Sequence, residues 1–545
     1  MELMRNNICS AFLETVANHP DAIALRSQKG NEWQTLTWSD LAAKVARFAG
    51  GLQELGIKRG DRVALLIGNR PDFYVADLAV LFSHATPISI YLSSSADQIA
   101  DLCHRSNAKL LIDETMATTI DGAPINLASA GDKVEPSDRA TVIYTSGTTS
   151  KPKGVILTHA NVMAMVSGTL ANTGIDFTGK RVVSYLPLAH IAERALSYYL
   201  PVCTAMTVTT CPDAGKIGRY LTATRPHVFF GVPRVWEKLH SATVRSLAKK
   251  PLLNKVVNTL LATGALGRFA ARPATRMMRE KLGLDQVVLA ASGAAPLSPE
   301  IGQFFKSIGV PFSEIYGMSE TCGPLAWSPF DHKLATVGRA MPGTEIRLLP
   351  DGEIVVRGDT VFAGYLDDAQ ATSAAFQGEW LCTGDIGEID AAGRFKIIDR
   401  KKDLIITSGG KNISPAALES ALEAHPAIAH ACVIGDRRPY VSALITVDPE
   451  FSMDVSAVAA IDAHVARVNS SLSKLERVKR HTVVADTWSA NSELLTPTMK
   501  VKRRGVEARY GAAIDAMYAP GVVSSAVDKH LSSDQPACAP KPVSL

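Results

Sequence analysis

Along the first 130 residues, apolar positions alternate between the three-to-four spacing of a helix with one buried face and the short unbroken runs of buried strands. "WSDLAAKVARFAGGLQELGI" from Trp38 predicts a helix, and "GDRVALLIGN" (Gly60–Asn69) predicts a strand bracketed by Gly-Asp and Gly-Asn turns. "DFYVADLAVLFSHA" is helical again, "PISIYL" a strand, "SADQIADLCHRSN" a helix and "AKLLID" a strand. The rhythm returns in "RPHVFFGVPRVWEKLH" and "LDQVVLAASGAAPLSPEIGQFF", each a buried strand, a turn and a helix. This alternation predicts an α/β fold with sheets covered by helices.

From Gly343, "GTEIRLLPDGEIVVRGD" changes to short strands joined by Asp-Gly and Gly-Asp turns, which predicts a β-rich subdomain. Beyond "IIDRKKDLI" the chain reads as a small α+β module. Its helix is "SPAALESALEAHP" and its strands are "HACVIGD" and "VSALITVD". After about Pro520, Ser, Pro, Ala and Lys prevail, the composition of a disordered tail. The expected organisation is a large N-terminal domain (1–399), a small C-terminal domain (400–519) and a tail (520–545).

Composition narrows the class. A chain of 545 residues is too long for one compact domain, and 46% hydrophobic with 20% charged residues is ordinary for a globular protein. A net charge of +4 is nearly balanced, so nucleic acid is not an expected partner and any anion site must be local. The eight cysteines form no CxxC pair and no His/Cys cluster at zinc spacing. Reduced thiols in a cytoplasmic protein are expected instead. The N-terminus lacks the apolar core of a signal peptide, and no run approaches the roughly 18 residues of a membrane span. Residues 245–281 are rich in Lys and Arg with almost no acid. They read as a solvated surface hairpin or, alternatively, as a peripheral contact with anionic lipid; Pro251 and Pro273 break any single long amphipathic helix.

Candidate chemistry starts at "YTSGTTSKPKGV" (Tyr144–Val155), which follows the predicted strand "ATVIYT" and precedes the helix-like "THANVMAMVSG". Its glycines permit tight turns, its hydroxyls and amides can donate to phosphate oxygens, and its lysines supply charge. It is not a Walker loop, which ends in Gly-Lys-Ser/Thr. By composition alone it is a phosphate-binding loop or a flexible turn.

Its companions narrow that choice. The stretch resembles the phosphate loop of adenylate-forming enzymes, the superfamily of acyl-CoA synthetases, luciferases and peptide-synthetase adenylation domains. Further stretches match that family in order: "ASGAAPLSPE", "EIYGMSET", "WLCTGDIGEID" with "IIDRKKDLIITSGGKNISP", and "ELLTPTMKVKRR". The resemblance covers nearly the whole chain except the tail. It implies activation of a carboxylate by attack on the α-phosphate of ATP, with Mg²⁺ as cofactor, followed by transfer to the thiol of CoA.

The resemblance also implies roles. Thr145, Ser146, Gly147, Thr148, Thr149 and Lys153 would cradle the β- and γ-phosphates. Gly293, Ala294 and Ala295 would pack against adenine, Tyr316 would stack on it, Gly317 would belong to the same ATP site, and Ser319 would meet the α-phosphate. Glu320 would hold Mg²⁺, and Asp385 with Arg400 would bind the ribose. Lys500 matches the catalytic lysine, with Lys502 the competing candidate. Lys402 matches the hinge of a mobile C-terminal domain whose rotation would bring Gly409, Gly410 and Lys411 to the CoA path.

"LPLAHIAER" (Leu186–Arg194) and "VPRVWEKL" (Val232–Leu239) are similar to the long-chain fatty acyl-CoA synthetases' versions of these motifs. There His190 would face the substrate head group, Glu193 would be structural or assist magnesium, and Trp236 would gate the acyl tunnel unless it is simple core packing. Three positions depart from the family pattern. Ser150 replaces a loop glycine, at about 1 kcal/mol if that position needs positive φ. Cys382 stands where His is common, and His227 where Thr is typical. Alternatives to a long-chain acyl-CoA synthetase are an acyl-AMP ligase loading a carrier protein, a CoA ligase for steroid side-chain or aromatic acids, and an inactive lipid- or nucleotide-binding homologue.

Overall fold

The computed structural model describes residues 6–145, 152–248, 272–407, 412–449, 451, 454–488, 494–495 and 501–519. The expected tail from 520 and most of the basic segment 245–281 lie outside them. The chain divides into two compact units, Met1–Lys401 and Lys402–Leu545. The division falls two residues beyond the boundary expected at 399.

The larger unit is built on an eight-stranded sheet. Its order is Gly323–Trp327, Phe312–Met318, Leu289–Ser292, Val228–Gly231, Arg181–Ser184, Thr207–Thr210, Ile23–Lys29 and Glu32–Thr37. The inner strands pair in parallel and those at both ends antiparallel. Inner strands such as Val228–Gly231 and Leu289–Ser292 are buried along their whole length. That explains their continuous apolar runs, since a parallel strand is covered on both faces. The outer hairpin Ile23–Thr37 alternates weakly and carries no such run.

The helix Pro71–Phe82 is buried at every residue from Phe73 to Phe82, including Asp77. It packs in the principal core with Phe12, Trp38, Phe48 and Tyr198. A three-stranded parallel sheet (Thr86–Ser89, Arg62–Leu66, Leu110–Asp113) lies beside it in sequence. The β-rich subdomain expected from Gly343 is a sheet containing Thr344–Leu348, Glu353–Gly358, Trp380–Ile389 and Phe395–Arg400.

A further strand stands between the loop and the helix expected in "THANVMAMVSG". Lys153–Thr158 forms an antiparallel strand against Arg139–Thr145, with Thr145 opposite Lys153. The helix begins only at His159, capped by Thr158 and Asn161 in a reciprocal capping box. "KGVILT" is short and abuts the helix, so periodicity does not separate the two.

The smaller unit has a sheet of Ile428–Ile434, Val441–Val447 and Val478–Val484. The helices Pro415–Glu423 and Val455–Ser470 supply Leu418, Leu422, Ile461 and Val465 to the same core as the strand residues Ala431, Ala443 and Ile445. Lys402 is the first residue of this unit. Among the described residues no helix is long and apolar enough to cross a membrane.

Candidate active site

Ser146, Gly147, Thr148, Thr149, Gly409, Gly410, Lys411 and Lys500 lie outside the described residues, as does Ser150. Lys402 and Lys502 belong to the smaller unit; apart from Trp236, the other expected site residues form three groups within the larger one.

The first group has the chemistry of a diol-binding site. Tyr316, on the strand Phe312–Met318, donates its hydroxyl to Asp385 Oδ2 at 2.5 Å. Arg400 Nε meets Asp385 Oδ1 at 2.7 Å, across a strand pair in which Asp385 and Arg400 are partners. The Asp385 side chain is only 5% exposed. Tyr316 and Arg400 thus each fix one oxygen of the Asp385 carboxylate. Burial first, and then the Asp385 carboxylate, push the Tyr316 phenol far up, so it stays a donor.

Backbone geometry brings the expected adenine loop to the same place. Leu289–Ser292 runs parallel to Phe312–Met318, with Ser292 opposite Glu314. A Cβ at Gly293 would sit 2.9 Å from Ile315 O, so only glycine lets the chain leave the strand here. Ala294 follows at φ +72°, a left-handed conformation that costs a non-glycine residue about 1 kcal/mol. Ala295 is exposed. At Gly317, a Cβ would meet Gly323 O at 1.9 Å, so the turn into Ser319–Thr321 requires a bare backbone.

The second group gathers around Tyr365. Glu320 is buried in the turn Ser319–Thr321, and Ser319 beside it is buried too. Its Oε1 accepts a hydrogen bond from Tyr365 at 2.8 Å. The Lys153 ammonium lies over the face of the same Tyr365 ring, 4.8 Å from its centroid. No sequence motif singles out Tyr365. Nothing in "FAGYLDD" marks it, and its two partners are far away in the chain.

Glu320 fits a magnesium ligand by its donor chemistry. Its carboxylate is buried, and among the described residues nothing donates to its second oxygen. No group of three or more His, Cys, Asp or Glu assembles among the described residues. A cation here would take its remaining ligands from phosphate oxygens and water, the usual manner of Mg²⁺.

The third group is the "LPLAHIAER" segment. His190 caps the short helix Ile191–Arg194, its Nδ1 accepting from Ala192 N–H at 3.2 Å. Glu193 is structural: its Oε1 accepts from Tyr185 N–H at 3.0 Å and Ser197 Oγ at 2.5 Å. Burial pushes its carboxyl up to about 7. Arg194 is fully buried, bonding Asp77 at 2.5 Å, Ser89 at 2.7 Å and Leu188 O at 3.0 Å. Asn69 holds Leu186 O from the other side at 2.7 Å. The helix then widens through a π turn at Ala195–Tyr199. The loop that presents His190 is thus tied through Leu188 O to a buried ion pair and through Leu186 O to Asn69.

Trp236 lies on the helix Pro233–Ala248. It has no exposed surface and packs edge-on against Phe229, Phe305 and Phe312, with centroids 4.7–5.1 Å away. Its indole N–H donates to Gly231 O at 3.1 Å and Ala291 O at 3.3 Å. The departures are also accounted for locally. His227 Nδ1 accepts the Arg181 N–H, and Cys382 sits in the sheet opposite Val355.

Comparison with known proteins gives this constellation its family. The family model described as AMP-binding enzyme matches residues 12–366, and the AMP-binding enzyme C-terminal domain matches 402–521. A long-chain-fatty-acid–CoA ligase of Mycobacterium tuberculosis (strain ATCC 25618 / H37Rv) is 33% identical, over 94% of this chain and 97% of the relative. One of Gallus gallus is 29% identical over 96% of this chain and 82% of the relative. Among solved structures, O-succinylbenzoate coenzyme A synthetase from Bacillus subtilis, in complex with ATP and magnesium ion, aligns with a TM-score of 0.69 at 23% identity, over 91% of this chain and 98% of that one. The A domain of carboxylic acid reductase from Segniliparus rugosus, in complex with AMP and a co-purified carboxylic acid, gives 0.76 at 19%, over 94% of each chain. These likenesses concern the fold. With its large unit matched by one model and its small unit by the other, the chain belongs to the AMP-binding enzymes.

Proposed function

We propose that the chain is an AMP-forming long-chain fatty acyl-CoA ligase. The observation that carries this reading is the 33% identity, over 94% of the chain, to a relative named long-chain-fatty-acid–CoA ligase. In the first step a fatty carboxylate oxygen attacks the α-phosphorus of ATP. The bond to the pyrophosphate oxygen breaks, leaving acyl-AMP. In the second, the CoA thiolate attacks the acyl carbon, the bond to the phosphate oxygen breaks, and AMP leaves.

The residues divide this work. Thr145, Lys153 and the loop 146–149 hold the β- and γ-phosphates. Asp385, Arg400 and Tyr316 hold the nucleoside, with Gly293–Ala295 beside the base and Ser319 at the α-phosphate. Glu320 holds Mg²⁺, which when bound neutralises charge on the leaving phosphates. Lys500 stabilises the charge that develops between carboxylate and α-phosphate. The C-terminal unit turns at Lys402 and brings Gly409, Gly410 and Lys411 to the CoA path. The free thiols among the described cysteines fit the cytoplasm. Lipid-surface contact through 245–281 has support in the helix Arg272–Leu282, which carries Arg272, Arg276 and Lys281 around the 40% exposed Met277. Co-sedimentation with phosphatidylglycerol vesicles but not phosphatidylcholine vesicles would bear this out.

Release of AMP and pyrophosphate, measured across carboxylic acids of graded chain length with CoA present, tests the central reading. Turnover restricted to long chains supports it, and no release with any fatty acid sinks it. Lys500→Ala should abolish acyl-AMP formation while supplied acyl-AMP plus CoA still yields thioester. Equal loss of both half-reactions would remove Lys500 from the first step alone.

A further inference from the structure

We propose that Tyr365 is the positioning residue that keeps Lys153 and Glu320 from pairing with each other. This rests on the nucleotide-binding reading above and adds to it a residue that no motif assigned. Lys153 and Glu320 have opposite charges on neighbouring elements, yet no ion pair joins them among the described residues. The Tyr365 phenol satisfies both: its hydroxyl donates to Glu320 Oε1 at 2.8 Å, and its ring face receives the Lys153 ammonium at 4.8 Å. A direct Lys–Glu contact would spend each charge on the other. The aromatic plane stabilises both without neutralising either, leaving the cation for phosphate and the second carboxylate oxygen for a metal.

The backbone fixes Tyr365 in this role. Gly364–Tyr365 pairs antiparallel with Lys153–Thr158, with Tyr365 opposite Val155. Leu366 N–H donates to Gly154 O at 2.7 Å, next to Lys153. Tyr365 N–H donates to Thr372 Oγ1 at 2.9 Å. Phe362 N–H donates to Glu320 O at 2.8 Å, and the Phe362 ring packs edge-on against Tyr365 at 4.8 Å. The segment 362–366 thus bonds at one end to the turn carrying Glu320 and at the other to the strand carrying Lys153.

The test is calorimetric titration of the full chain and two variants with ATP plus Mg²⁺, ATP plus EDTA, and AMP. Tyr365→Phe removes the donor and keeps the ring; Tyr365→Leu removes both. The expected result is that Tyr365→Phe weakens ATP binding about tenfold with Mg²⁺ present. Its affinity for metal-free ATP and for AMP should stay within about twofold. Tyr365→Leu should weaken ATP with and without Mg²⁺, because Lys153 is freed to pair with Glu320, while AMP binding persists as evidence of an intact fold. Wild-type affinity for MgATP in Tyr365→Phe, or equal loss of AMP and MgATP, overturns the positioning role alone. A wild-type chain that binds neither AMP nor MgATP takes the nucleotide-binding reading with it.

Discussion

Two tyrosine–carboxylate–cation groups face the candidate site, and they are wired differently. In Tyr316–Asp385–Arg400 the cation touches the carboxylate, with Nε to Oδ1 at 2.7 Å, so the pair is internally neutralised. In Tyr365–Glu320–Lys153 the cation lies over the ring and, among the described residues, the carboxylate holds only the phenol. A neutralised group suits neutral hydroxyls, which need lone pairs at fixed positions. Unspent charges suit phosphates and a hard cation, which need field strength. On the proposed reading, the same three chemical types would serve a nucleoside or a triphosphate according to whether cation and anion are allowed to meet.

The largest expected effect comes from removing an unspent charge. Lys153→Ala should lower the rate of acyl-AMP formation about 10²- to 10³-fold, the loss typical of one preorganised charge or donor at a developing anion. AMP affinity should stay within about threefold, because AMP lacks the phosphates that Lys153 is placed to meet. Stopped-flow pyrophosphate release paired with AMP titration checks both. A parallel collapse of AMP binding would mean the two groups are not separate.

The neutralised group should fail in the opposite pattern. Asp385→Asn keeps the shape but leaves Arg400 without its counter-charge and gives Tyr316 a poorer acceptor. AMP and ATP affinities should fall together, about tenfold or more, with or without Mg²⁺. The melting midpoint should drop by only a few degrees, since Arg400 is 43% exposed and solvent screens it. A loss confined to MgATP would put Asp385 on the phosphate side and erase the contrast.

These two groups also mark what the chain's pattern reveals. Asp385, Arg400, Tyr316, Glu320 and Lys153 are legible because each sits in a short stretch whose local order is characteristic. The inner strands and the helix Pro71–Phe82 are legible from continuous or periodic burial. Tyr365 is not, because its role is created by pairing with Lys153–Thr158 and contact with Glu320, both distant in sequence. The hairpin Ile23–Thr37 escapes notice because an edge hairpin has no unbroken apolar run. Trp236 is ambiguous in the sequence because a tryptophan after a proline turn looks the same whether it gates a tunnel or fills a core. The fold sets it among three aromatic rings with two carbonyls behind its indole.

Glu193 supplies the control for the comparison, a buried carboxylate held by an amide and a hydroxyl with no cation hydrogen-bonded or paired to it among the described residues. Burial pushes it up to about 7 from an ordinary value of 4.5. Below pH 4.5 both the folded and unfolded chains hold this proton, and Glu193 adds no pH dependence. Between 4.5 and 7 the folded chain keeps a proton that the unfolded chain has released, so stability falls as pH rises. Above 7 the fold must carry the buried charge, and the accumulated cost is about 3 kcal/mol. Glu193→Gln removes that proton exchange while keeping an oxygen for Tyr185 and Ser197. The variant's melting midpoint relative to wild type should therefore rise steadily from about pH 5 to about pH 8, read by differential scanning fluorimetry. A constant offset would mean that Glu193 does not change its ionisation across this range, and that burial does not hold its proton.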